Sequence, residues 1–196
     1  MIFDLHVHST ISSCGKLDIG DILKYSRSLG LDGVCITDHG TMEARQYVRE
    51  GIQEDGLCVI FGMEYSTLNG DFLLFGSFEE IDPGFSDTQV LEIAEQTSGA
   101  AVAAHPLRSG RSVREHIFQK KLCNIVESIN GRNTDNENQQ AENLCRQFAL
   151  TEIGGSDAHN LEELGKVVTR FNIPIQSRND LIYALKNGLC EPQFKV

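Results

Sequence analysis

Apolar runs of strand length that stop on a histidine or a carboxylate constrain this chain most, because they recur from one end to the other. The opening run Ile2-Phe3-Asp4-Leu5 reaches His6-Val7-His8, and Asp32-Gly33-Val34-Cys35-Ile36-Thr37 reaches Asp38-His39-Gly40. Residues 57–63 stop on Glu64, Ala100-Ala101-Val102-Ala103-Ala104 on His105-Pro106, and a run near 150–155 on Ser156-Asp157-Ala158-His159. Side chains two apart on a strand share a face. His6 and His8 therefore converge on one point, where a metal ion could hold both.

Between these runs the periodicity turns helical. Ile19, Ile22, Leu23 and Leu29 share one face before Gly30, and a second helix is expected over residues 42–54. Asp87 is placed to cap a helix carrying Val90, Leu91 and Ala94, and further helices are expected over 113–121 and 138–148. Ser177 followed by Asp180 opens a last helix that stops at Gly188. Additional strands are expected at 72–75, 123–129 and 167–171. Strands alternating with helices imply an α/β domain with a mostly parallel sheet. Polar residues at the C-terminal ends of successive strands match the way α/β barrels place active sites. A barrel gathers those ends, whereas an open sheet spreads them along an edge, so a compact barrel is the expected architecture. No linker, low-complexity tract or repeat divides residues 1–196, which are read as one domain.

Charge narrows the partners. The formal net charge of -11 argues against duplex nucleic acid, whose binding relies on Lys and Arg neutralising phosphates. Divalent cations bound in a cleft would offset such charge locally and still admit a small phosphorylated ligand. No apolar run reaches membrane-spanning length, and no basic segment precedes the first strand, so a cytoplasmic location is expected. The six cysteines form no CxxC pair and read as free thiols. Four of them lie in apolar runs. Cys14, in the polar loop 9–15, is either a soft metal ligand or a loop thiol touching no metal.

Four or five imidazoles with two or more carboxylates suit Zn, Mn or Fe better than Ca or Mg. The candidates exceed what one tetrahedral ion needs, so two or three divalent ions sharing ligands are expected, with Glu64 as the bridging carboxylate. Ions about 3.5–4 Å apart would hold a hydroxide and clamp both oxygens of an in-line displacement at phosphorus. Nothing resembles a haem or iron–sulfur pattern. His116, beside Arg114 and Glu115 in a helical stretch, reads as a surface residue. Asp38 should point away from His39, either orienting a ligand or capping the next turn. Arg108 and Arg132, in loops after the strand ends, are candidates to fork a phosphate bidentately.

Taken in order, Asp4-Leu5-His6-Val7-His8-Ser9, Thr37-Asp38-His39-Gly40, Gly62-Met63-Glu64, Ala104-His105-Pro106 and Gly155-Ser156-Asp157-Ala158-His159 resemble the motifs of the PHP (polymerase and histidinol phosphatase) superfamily. Glu127-Ser128-Ile129-Asn130-Gly131-Arg132 resembles that family's strand before the last motif. The resemblance implies a distorted (β/α)7 barrel with its metal site at the C-terminal strand ends. It implies a first ion on His6, His8, Glu64 and Asp157, a second sharing Glu64 and taking His105, and a third on His39 and His159 with Ser13 or Cys14. Leu73 stands where many members carry a histidine, which leaves the second ion to water, Glu127 or substrate. The implied activity is metal-dependent hydrolysis of a small phosphomonoester or nucleotide, with His105, His159 and Asp157 as catalytic candidates. A 3′–5′ exonuclease or phosphodiesterase acting on short nucleic-acid ends, a non-catalytic metal-binding domain, and amide or ester hydrolysis are the alternatives. Oligomeric state stays open.

Overall fold

The computed structural model describes residues 1–195. In chain order its elements are β1 (Ile2–Val7), α1 (Ile19–Ser28), β2 (Gly33–Ile36), a 3-10 turn at Glu43–Gln46, β3 (Gly51–Ile52), β4 (Cys58–Phe61), β5 (Met63–Thr67) and β6 (Gly70–Phe75). There follow α2 (Asp87–Gln96), β7 (Ala100–Ala104), α3 (His116–Gln119), β8 (Ile125–Asn130), α4 (Asp135–Phe148), β9 (Thr151–Gly155), β10 (Val167–Phe171), α5 (Arg178–Lys186) and β11 (Cys190–Phe194).

The strands bury both faces, and alternate residues enter two different cores. Phe3 and Leu5, Cys58 and Ile60, Leu73 and Phe75, and Ala100, Val102 and Ala104 join one inner cluster. Their neighbours Val34, Ile36, Val59, Phe61, Phe72, Leu74 and Ala103 join an outer cluster with Ile22 of α1, Val90, Leu91 and Ala94 of α2, and Leu144 of α4. That division follows from the two-residue period of a strand, and it explains why the runs read as continuously apolar. Leu181, Ala184 and Leu185 of α5 pack into the inner cluster beside Phe3, Phe75 and Ala100, so α5 covers the strand ends away from His8 and Ala104. The Arg178 guanidinium anchors it, with 2.9 Å bonds to both carboxylate oxygens of Glu50.

The sheets are less parallel than expected. One has the order β11-β10-β1-β2-β4-β3 and the other β5-β6-β7-β8-β9. The β1–β2–β4 and β7–β8–β9 pairings are parallel, whereas β6 runs antiparallel to both β5 and β7. The cause is local: Leu68 and Asn69 alone join β5 to β6, far too short for the crossover that a parallel pair needs. The two sheets meet through single bridges, Val7 with Ala158 and His39 with Glu64. Both bridges lie at the ends that carry the polar residues, and no continuous ladder closes the ring among the described residues.

Two expected helices shrink. Residues 42–54 form one 3-10 turn followed by β3, with Gly51 at φ 101° ending any helical run. Residues 113–121 keep one helical turn, His116–Gln119. Helix α2 is capped by Ser86, not Asp87, in a capping box with Gln89, and α4 starts earlier than expected on a Thr134–Glu137 box. All six cysteines are unpaired, with Cys35, Cys58, Cys123 and Cys145 buried. No helix among the described residues is long and apolar enough to cross a membrane.

Asp4 secures the site end of β1. Its fully buried carboxylate accepts from the N–H of His6 (3.3 Å), Ser156 (3.0 Å) and Gly165 (2.9 Å), tying β1 to the segment after β9. Burial pushes Asp4 up to about 6, against the pull of those hydrogen bonds. Close packing here also requires glycine: a Cβ on Gly155 would lie 2.4 Å from Glu127 Oε1 and 2.6 Å from His6 Cβ. Gly155→Ala should therefore cost about 1–3 kcal/mol of stability. The expected result is a lower urea midpoint at unchanged slope, and an unchanged midpoint would contradict this packing.

Candidate metal centre

The opening strand delivers its two histidines to one point. His6 and His8 are fully buried, and their Nε2 atoms lie 3.1 Å apart. Glu64, at the start of β5, meets them there. Its Oε2 is 3.3 Å from His6 Nε2, 3.2 Å from His8 Nε2 and 3.1 Å from His39 Nδ1, and its Oε1 is 2.9 Å from His105 Nε2. One carboxylate thus touches four imidazoles. Asp157 Oδ1 faces the other side, 3.6 Å from His6 Nε2, 3.4 Å from His8 Nε2 and 3.6 Å from His159 Nδ1.

Three donor groups result, each with ligand atoms within 4.8 Å of one another: His6, Glu64 and His105; His6, His8 and Asp157; His8, His39 and His159. All seven histidines and carboxylates expected as ligands from the sequence are brought together. The remaining histidine, His116, opens α3 and joins none of these groups. Cys14 is exposed and lines the adjoining cavity with Ser13, but it too joins no donor group among the described residues.

The electrostatics fit cations. Glu64, Asp71, Glu127 and Asp157 are all buried here, and the arginines that reach them are Arg108, on Asp157, and Arg111, on Asp71. Burial pulls His6 down, yet Glu127, Asp157 and Glu64 outweigh it and hold its imidazolium form well above the usual imidazole range. His8 is raised as well, with its bonds to Asp157 and Glu64 overcoming burial. The cluster thus favours positive charge at the point where the donor atoms converge. Glu127 Oε1 lies 2.9 Å from His6 Nδ1 and fixes a proton there, so a cation that replaced the Nε2 proton would meet a lone pair directed towards Glu64 and Asp157. Lone pairs and carboxylate oxygens facing one another at 3.3–3.6 Å are what a divalent ion would join. Burial moves His39 and His159 the other way, below the usual value, so both are mostly neutral at pH 7 and offer lone pairs.

Backbone geometry is tensioned at two of these residues. His105 has φ 28° and Asp157 φ 55°. A non-glycine residue in that region costs on the order of 1–3 kcal/mol, a cost that recurs at functional sites. Glu127 Oε2 helps to hold the turn at His105 by accepting its N–H at 2.8 Å.

Asp38 settles between its two expected roles. Its carboxylate takes the Ser9 N–H (2.7 Å), the Ser9 hydroxyl (2.6 Å) and the Ser12 hydroxyl (2.7 Å), and Ser12 Oγ in turn accepts the His39 N–H at 3.0 Å. It therefore shapes the loop after His8 and positions His39. Arg108 is committed inward, donating to Asp157 Oδ2 (2.8 Å), Asn130 Oδ1 (2.6 Å) and Asn133 Oδ1 (2.9 Å). Arg132 lies at the mouth, with Nη1 2.9 Å from His159 Nδ1. Both border a cavity of about 380 Å³ above Glu64, His105 and Asp157.

Glu127, an alternative ligand of the second ion in the sequence reading, instead holds His6 Nδ1 and the His105 N–H, while Asp71 and Arg111 were not among the expected site residues. Glu127 is a fully buried acid inside β8, and an acid within an apolar strand is itself a signal, since such groups are rarely buried without partners. Asp71 and Arg111 left no comparable mark. Their meeting depends on β6 lying beside β7.

Comparison with known proteins places this geometry. The PHP domain profile matches residues 4–151, and the PHP-associated profile matches residues 135–190. An uncharacterised protein of Methanocaldococcus jannaschii, MJ1587, is 30% identical over 113 residues, covering 53% of this chain and 66% of that protein. The chain thus spans just under two-thirds of that relative's length. Among solved structures, PsfC from Pseudomonas syringae PB-5123 superposes with a TM-score of 0.79 at 22% identity, over 100% of this chain and 91% of its own. The lesion-specific endonuclease Q of Pyrococcus furiosus superposes with a TM-score of 0.72 at 17% identity, over 98% of this chain and 58% of its own. Endonuclease Q is also known in complex with a 27-mer duplex substrate carrying an abasic lesion at the active site. At these identities the structural matches speak for the fold, and the profile match over most of the chain speaks for the family. The chain is a mixed α/β protein of the PHP domain family.

Proposed function

We propose that this chain is a metal-dependent phosphoesterase acting on a small phosphorylated substrate. The observation that carries the reading is Glu64, one buried carboxylate shared by His6, His8, His39 and His105 beneath an arginine-rimmed cavity. In this reading His6, His8, Glu64 and Asp157 hold a first ion, Glu64 and His105 a second, and His39 and His159 a third. Zn, Mn and Fe fit the donor chemistry. Bound there, such ions supply Lewis-acid activation of water and neutralise charge on the phosphoryl group.

The chain's own residues do the rest. Glu127 orients His6, and the Asp38–Ser12 pair orients His39. Arg132, at the mouth, takes a phosphate oxygen. Arg108 keeps two of its five N–H groups free for the anion after its three inward bonds. His159, held below the usual imidazole value by burial, stays neutral near pH 7 and keeps a lone pair for an ion or for a proton released in the reaction. The same reading takes β1, β2, the β4–β5 run, β6, β7, β8 and β9 as a distorted seven-stranded barrel, supported by the two bridges between the sheets.

A second reading has its own support. Endonuclease Q shares the fold over nearly the whole of this chain, and phosphodiester hydrolysis needs the same chemistry. The net charge of -11 weighs against a long duplex, so a nucleic-acid substrate would enter as a short end. A labelled oligonucleotide, single-stranded or abasic duplex, compared with p-nitrophenyl phosphate in one assay distinguishes the two: cleavage of the oligonucleotide alone favours the nuclease.

Dialysis against a chelator should abolish phosphate-ester hydrolysis, and Mn or Zn should restore it. His8→Ala and Asp157→Ala should each lower the rate by at least about 100-fold, and folded variants working at the wild-type rate would refute the assignment. Glu127→Gln keeps the shape and removes the charge behind His6. Its metal affinity, read by calorimetric titration, should fall roughly 10–100-fold with little change in the circular dichroism spectrum.

A further inference from the structure

Of the three carboxylates lining the cavity, Asp71 is the one outside the three donor groups. Its position follows from register. Asp71 pairs with Ala104 across the β6–β7 ladder, so it sits beside His105. Leu73, two residues on and on the same face, is fully buried in the inner core. Asp71 is therefore the inward residue of β6 nearest the cavity. It is 1% exposed, and its Oδ2 lies 4.0 Å from His105 Nε2, the nitrogen that also stands 2.9 Å from Glu64 Oε1. Two metal–ligand bonds of about 2.1 Å each span up to about 4.2 Å, so His105 Nε2 and Asp71 Oδ2 are within reach of one ion.

The partner of Asp71 is equally telling. Among the described residues its side chain accepts hydrogen bonds from one atom, Arg111 Nη1, at 2.9 Å to each oxygen. A carboxylate offers about four acceptor positions, so the side facing His105 is left unfilled. Arg111 reaches in from the loop after β7 with its side chain 52% exposed, and it also touches Ser66 Oγ at 3.3 Å. A buried anion is thus neutralised by a cation rooted in solvent, which can leave without breaking the core.

We propose that Asp71 is a further ligand of the metal position built on Glu64 and His105, with Arg111 as its counter-ion until a metal ion takes its place. Displaced from Asp71, the guanidinium still borders the cavity, where an anionic oxygen of the substrate meets it. This inference rests on the metal-dependent reading above. It supplies from β6 the protein ligand that Leu73 does not.

A structural salt bridge and an exchangeable counter-ion predict different signs. If the pair only braces the fold, removing either partner has the same kind of effect. If Arg111 occupies the place of a cation, the two removals act in opposite directions. The full chain, stripped of metal, would be titrated with Mn2+ by calorimetry, and the ions retained after gel filtration counted. Asp71→Asn should bind the affected ion roughly 10–100-fold more weakly or retain one ion fewer. Arg111→Met should bind that ion more tightly. An unchanged Asp71→Asn titration, or an Arg111→Met variant that binds equally or more weakly, overturns the proposal. Should Asp71→Asn fail to fold by circular dichroism, the Arg111→Met titration decides alone on the same criterion. Wild-type protein that binds no Mn2+ would overturn the metal-dependent reading and this inference with it. Wild-type binding with both variants unchanged would overturn only the inference.

Discussion

Buried negative charge is the constraint on which this structure depends. Glu64 sits under four imidazoles with Asp157, Glu127 and Asp71 close by, all within a few per cent of complete burial. Ionised carboxylates out of water are costly unless paired, and the fold pairs these with imidazoles, with two arginines and with fixed N–H groups. The raised imidazolium of His6 expresses the same demand. A protein that concentrates acceptors and lone pairs in this way is prepared for cations, and the neighbouring strain at His105 and Asp157 is held by the surrounding contacts.

The architecture serves that arrangement. Alternation along each strand sends one set of side chains to an inner core and the other beneath the helices. The inner core fills the space away from the site, with α5 covering that end, so the polar residues are displaced to the opposite strand ends. The two single bridges, Val7 with Ala158 and His39 with Glu64, join the sheets at that same end. Asp4 reinforces the first seam and Asp38 shapes the loop beside the second. His8 beside Asp157, and His39 beside Glu64, therefore sit next to backbone contacts that limit their movement, as preorganised sites require.

The surroundings of the centre divide into fixed and exchangeable parts. Arg108 is bound through three nitrogens to Asp157, Asn130 and Asn133, which makes it part of the framework. Arg111 and Arg132 are rooted in exposed loops, and among the described residues Arg111 makes all its side-chain hydrogen bonds through the single nitrogen Nη1. A cavity with a buried acidic floor and exposed basic groups at its rim suits cations below and an anionic ligand above. In the proposed function it would give an overall acidic protein a local attraction for phosphate.

Much of this was legible in the chain itself. Continuous apolar runs ending on His8, His39, Glu64, His105 and Asp157 marked the strands that carry the candidate donors and the buried character of those strands, because apolar content and a metal's preference for nitrogen and oxygen ligands are both local chemistry. Helix limits were less legible: residues 42–54 carry a helical pattern, yet Gly51 at positive φ and the pairing of Ile52 with Cys58 take the segment into a turn and a short strand. Sheet direction, the two seams, the hold of Glu127 on His6 and the meeting of Asp71 with His105 and Arg111 were decided by tertiary structure alone. Each depends on which strands become neighbours and in what register, and the short β5–β6 turn and the β6–β7 ladder express that choice only once the chain is folded.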